Sequence, residues 1–164
     1  MLRPLIVALI VAVAAPAAAA PDKVDPHSLL RPEAYSRYDN IASTVAHDGW
    51  TCVYVEHATT NTTSGYAYTV GMSGKHLPEV LYITPLKGDV ACAMLTAIAT
   101  RLIRRATAVP EGYEPLPTHK VHLHRIEAKS FFETCTFAGV WAVSHGTLEQ
   151  AQAVQVVVDS PPSG

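Results

Sequence analysis

The chain has 164 residues, with 12 basic and 14 acidic side chains, so its formal charge is −2 at pH 7. A nucleic-acid binder ordinarily shows a basic excess or stripe, and here the one basic cluster, Arg101, Arg104 and Arg105, falls together in the chain, which argues against a nucleic-acid partner. Three cysteines, none in a C-x-x-C pair, argue against a thioredoxin-type redox centre or a zinc ribbon.

The first 19 residues have the three parts of a secretory signal: "MLR", the apolar run "PLIVALIVAV" and a tail of small residues. Ala17 and Ala19 satisfy the small-x-small rule for a cut before Ala20, and Pro16 interrupts the run as a spanning anchor. The expected product is secreted or periplasmic, with no stable membrane anchor after cleavage. About 145 residues then remain, enough for one domain with its own apolar core. Losing Arg3 leaves 11 basic against 14 acidic side chains. The alanine and proline content suggests a bacterium of high GC content.

Residues 20–31, with Pro21 and Pro26 and no periodicity, read as a flexible lead-in to a single domain over 32–164. From Pro32 to His47, Ala34, Tyr35, Tyr38, Ile41, Ala42 and Val45 recur at helical spacing, and Gly49 stands just past the end. "GWTCVYVEH" alternates with β-branched and aromatic enrichment and predicts a strand. A polar loop follows, in which Asn61-Thr62-Thr63 matches a glycosylation acceptor that matters only in a eukaryotic secretory route.

"YAYTVGM" and "EVLYITPL" predict two further strands. Tyr66, Tyr68 and Val70 share one face of the first, and Ala67, Thr69 and Gly71 the other. Asp89 is placed to cap a helix whose Val90, Met94, Ile98 and Leu102 recur every four residues, with the arginines in its last turn. Cys92 lies on that helix's apolar face and reads as a buried, inert thiol. "VPEGYEPLPTHK", with three prolines, reads as a long surface loop. "VHLHRIE" predicts a strand, "SFFETCTFAGVWAV" a helix and "AVQVVVD" a last strand. The expected fold is α+β: a mixed or largely antiparallel sheet with helices packed on one side.

In this order, "AHDGWTCVYVE", "GYAYTVGM", "LPEVLYI" and "VQVVVD" resemble the bacterial family DUF4262 over about residues 41–160. The matching positions are Gly49, Trp50, Tyr68, Thr69, Gly71, Pro78, Glu79, Gln155 and Asp159, while Met72 replaces a usual leucine and the tail "DSPPSG" lacks the usual aromatics. The resemblance brings no established activity. It implies a shared fold and shared motif positions, and a repeated glycine or Pro-Glu pair is most simply a mark of backbone geometry.

Candidate chemistry is sparse. His122 and His124 alternate on a strand, about 7 Å apart, which suits two imidazoles on one zinc or copper ion. A third ligand would have to come from His119, His76, His145 or Glu79, and the alternative is a solvated strand face. Ser64, Ser73, Ser130 and Ser144 stand in no nucleophile elbow, and Glu56, Glu79 and Glu127 form no evident acid–base pair. Tyr66 and Tyr68, with Trp50 and Tyr54 on an adjacent strand, can instead form an aromatic platform for a flat cofactor such as a flavin. The expected function is therefore a non-catalytic module binding a small ligand or a protein partner through Trp50, Tyr66, Tyr68, Thr69 and Glu79. Its rival is a metal- or cofactor-dependent enzyme using His122 and His124. Cys52 with Cys135 is the expected disulfide, although spacing alone does not decide connectivity.

Overall fold

The computed structural model describes residues 23–58, 63–105, 112–115 and 120–158. The signal segment and its cut, Asn61, His119 and Asp159 lie outside the described residues. Among those described, no helix is long and apolar enough to cross a membrane.

Two short 3₁₀ turns, Pro26–Leu29 and Pro32–Ala34, lead into helix α1, Tyr35–Asp48. Each turn opens on a proline, whose missing N–H costs nothing in a first turn. Gly49 ends α1 at φ 84°, and its N–H donates to the Val45 carbonyl at 2.8 Å. A side chain is disfavoured in this left-handed conformation, which is why glycine stands there.

Six strands make one sheet: β1 (Thr51–Ala58), β2 (Thr63–Val70), β3 (Glu79–Thr84), β4 (Gly112–Pro115), β5 (Lys120–Ile126) and β6 (Ala153–Val158). Their order is β1-β2-β3-β6-β5-β4, antiparallel at every junction except the parallel β3–β6 pair. Parallel neighbours need a crossover. Helix α2 (Gly88–Arg105), the β4–β5 hairpin and helices α3 (Ala128–Thr134) and α4 (Thr136–Ser144) all lie within it.

The α+β class and the mixed, largely antiparallel sheet are as expected, but helices cover both faces of the sheet, not one. On one face Ala67, Val80, Tyr82, Leu123 and Val156 pack with Leu95, Ile98 and Leu102 of α2. On the other, Val53, Tyr68, Val70, Leu81 and Ala153 pack with Val45 of α1 and with Phe131, Ala138 and Trp141 of α3 and α4. The reason is in the central strands. β2, β3 and β6 carry apolar residues at successive positions, so each has two faces to bury.

Three local expectations change. Val90 is 48% exposed, and the buried stripe of α2 is Ala91, Leu95, Ile98, Ala99 and Leu102. A row spaced strictly by four drifts around a helix of 3.6 residues per turn, whereas steps of four and three hold one side. Within the expected loop 109–120, Gly112–Pro115 pairs with β5 as an edge strand, where proline is tolerated. The expected helix over 130–143 is two helices that break at Cys135.

The disulfide joins Cys52 to Cys92, with Cα atoms 5.7 Å apart, and the buried Cys135 is free. The expected Cys52–Cys135 pairing fails because the two sit on opposite sides of the sheet. Cys52 points towards α2, which carries Cys92, and Cys135 belongs to the core on the other face. Cys92 is thus half-buried and bridged rather than an inert thiol.

Candidate functional site

The register of β1 with β2 decides which aromatics share a surface. Val53 faces Tyr68, Tyr54 faces Ala67, and Val55 faces Tyr66. Trp50 and Tyr54 therefore pack on the α2 side, while Tyr66 and Tyr68 lie on the opposite side. The expected platform of four aromatics is split by the sheet itself, and Trp50 leaves the candidate site. Tyr54 fills the space above Gly65 and Gly88, and its hydroxyl donates to the Leu86 carbonyl at 3.2 Å.

Tyr66 and Tyr68 stack with ring centroids 6.0 Å apart and planes 23° from parallel. Tyr68 is only 2% exposed, and its ring meets Phe131 edge-on at 6.4 Å. Its hydroxyl is hydrogen-bonded to the Phe137 backbone in the first turn of α4. Burial, and then the neighbouring Cys135, push its pKa far above the ordinary phenol value. Tyr66 is half-buried, and its pKa is raised by the same two causes in the same order.

Above this pair lies a cavity of about 450 Å³. Its floor is Val55, Tyr66 and Tyr68, one wall is Thr134, Thr136 and Phe137 at the α3–α4 junction, and the segment from Leu29 to Ala34 closes the other side. Arg37 stands beside it without being free to swing in. Its guanidinium donates to the Tyr54 carbonyl at 3.0 Å and lies 5.4 Å from the centre of the Phe137 ring.

Thr69 and Glu79 belong to a different arrangement. Glu79 is completely buried, and its Oε2 accepts from the Thr69 hydroxyl at 2.6 Å. Oε1 accepts from the N–H groups of Gly71 and Ser73, each at 3.0 Å. Thr69 Oγ1 in turn accepts from the Val80 N–H at 2.8 Å, and the Glu79 N–H donates to the Gln152 carbonyl. The carboxylate thus fastens the turn Met72–Lys75 between β2 and β3, while the backbone N–H of the same residue pins the start of β3 beside β6. Desolvation raises the Glu79 pKa to about 7, although the bonds from Thr69, Ser73 and Gly71 pull it back.

Gly71 occupies this turn at φ 101°, and a Cβ there would come within 2.5 Å of Val45 Cγ1. The "AYTVG" and "PE" blocks therefore write one hydrogen-bonding unit, and neither Thr69 nor Glu79 lines the tyrosine cavity. Ser73, the third donor residue, was not singled out by sequence reading. Its position two residues beyond a strand-ending glycine is the signal that could have found it.

His122 and His124 do share a face, with rings 6.1 Å apart and nearly parallel. Among the described residues no group of three histidine, cysteine or carboxylate side chains is placed to hold a metal. Of the expected third ligands, His145 stacks on Trp141 at 3.6 Å, Glu79 is committed to its turn, and His76 caps that turn at φ 58°.

A family model described as "Domain of unknown function (DUF4262)" matches residues 44–162. No curated protein and no solved structure matches the chain.

Proposed function

This chain belongs to the DUF4262 family, and from that premise we propose that it is an exported, single-domain module that binds a small ligand in the cavity over Tyr66, without covalent chemistry. The observation that carries this reading is the cavity itself. Its volume of about 450 Å³ falls in the range of small-molecule sites, roughly 300–1,000 Å³. Its lining is mainly apolar and aromatic, with a few hydroxyls and the charged side chains of Arg31 and Glu33 to set orientation. The Tyr66 and threonine hydroxyls and the two charged groups offer hydrogen bonds, and the Tyr66 ring offers a face for stacking. Two features support export: the signal-like first 19 residues and a disulfide, which persists in oxidising compartments.

The test is native mass spectrometry of the protein recovered from the periplasm of a bacterial host. The expected spectrum shows cleavage before Ala20, one disulfide, and a non-covalent adduct that is lost on denaturation and absent from Tyr66→Ala. An adduct that survives Tyr66→Ala, or a chain that carries none, would overturn the assignment of the site.

A further inference from the structure

A second cavity, about 520 Å³, runs along the outer side of α3 and α4. Phe132, Val140, Val143 and Leu148 make it apolar. Lys129 and Glu133 stand at its edge, 4.0 Å apart, so that their charges offset one another. Leu29 and Thr136 line both this groove and the tyrosine cavity, so the two spaces are neighbours with those side chains between them. Leu29 is 44% exposed and belongs to a turn with no buried residue. The boundary between the two is a side chain that is not anchored in the core.

From this adjacency, across a side chain free of the core, we infer that the ligand is an alkyl-aromatic amphiphile, its planar head on Tyr66 and its uncharged aliphatic tail in the α3–α4 groove. The inference rests on the proposed site and adds the chemical class of its ligand. The Tyr66 ring, backed by the buried Tyr68, and Phe137 present faces and edges that an aromatic head can stack against. The hydroxyls of Tyr66 and Thr136 are placed to orient a polar substituent on that head. The groove beyond Leu29 offers methyl, methylene and phenyl surface, and its charged edge has no net sign with which to hold an ionised tail end. A hydrocarbon chain gains there by leaving water.

The experiment is calorimetric titration of the mature, oxidised protein with phenol and with 4-nonylphenol, each below its solubility limit. The longer compound is expected to bind at least about a hundredfold more tightly, the gain from burying roughly three or four methylene groups. Leu148→Asp is expected to remove most of that difference while leaving phenol binding unchanged. Leu148 is 40% exposed, so the variant should fold, and Leu29→Ala provides a second variant at the shared boundary. If both compounds bind with equal strength at a site that Tyr66→Ala abolishes, the tail groove is overturned and the tyrosine site stands. If 4-nonylphenol binds in a way that Tyr66→Ala does not touch, or neither compound binds, the inference falls together with the site beneath it.

Discussion

Glu79 is a completely buried carboxylate with donors from Thr69, Gly71 and Ser73 aimed at it, and the two influences on its proton oppose each other. Burial favours the neutral acid, the donors favour the anion, and the balance lifts its pKa from the ordinary 4.5 to about 7. A group whose folded pKa is raised gives stability that is fully present below 4.5 and is lost as the pH rises through about 7. Glu79→Gln keeps the shape without the titration. Comparing thermal melts from pH 5 to pH 8, the melting temperature of the variant should therefore rise relative to that of the parent. Movement in the opposite direction would mean that the donors outweigh burial. Glu79→Ala is harsher, because it leaves the Thr69 hydroxyl and two buried N–H groups unpaired, and denaturant titration should show a loss of about 3 kcal/mol or more. Cys135 tests the same core differently: burial first, and then Glu79, push its pKa up to about 12. Its thiol should resist a disulfide-exchange reagent in the folded protein and react only after unfolding.

Between elements, the tie that local patterning did not reveal is the bridge from β1 to α2. Alternation along β1 was legible, and so was the face of α2, but pairing their cysteines requires knowing which sheet face α2 covers. That depends on the long crossover, which no short window of sequence contains. Trp50 was placed beside Tyr66 for a different reason, the unknown register of β1 with β2, which sets the two on opposite faces of the sheet. Strand identities, α1 with its glycine stop, and the motif positions Thr69, Gly71 and Glu79 were legible because each rests on periodicity or on a local motif, but Thr69 and Glu79 were read as ligand-binding residues and not as partners in one turn. The edge strand Gly112–Pro115 was hidden by Pro115 and the flanking Pro110 and Pro117, and the break at Cys135 by an apolar run continuous in sequence. The bridge closes a loop with a sequence separation of 40, for which chain entropy gives about 3–4 kcal/mol. Cys52→Ser combined with Cys92→Ser should therefore lower the unfolding free energy in urea by roughly that amount, while the shared core of β1, β2 and α2 preserves the fold.

At the scale of the molecule, a closed two-faced core coexists with a segment that contributes little to it. The sheet is sandwiched between α2 and the α1–α3–α4 layer, and the central strands β3 and β6 tie the two halves of the chain together through their parallel pairing. The turn Pro26–Leu29 buries no residue. It packs against α4 and is held to α1 by His27, whose ring stacks on Tyr35 at 4.3 Å and whose Nε2 lies 2.7 Å from Asp39 Oδ1, both contacts on the exposed side of α1. An exposed pair of this kind is worth little, about 0–1 kcal/mol. Yet Leu29, Leu30 and Arg31 form part of the cavity lining, and Leu29 also stands between it and the second groove. A segment cheap to remove thus encloses the space where the ligand is proposed to sit. Starting the chain at Pro32 should leave a single cooperative unfolding transition and lower stability by no more than about 2 kcal/mol. It should also weaken 4-nonylphenol binding about tenfold or more by exposing the Tyr66 ring to water. Unchanged affinity would show that the ligand is held by the sheet and the α3–α4 junction alone, whereas loss of cooperative unfolding would make the lead-in part of the fold.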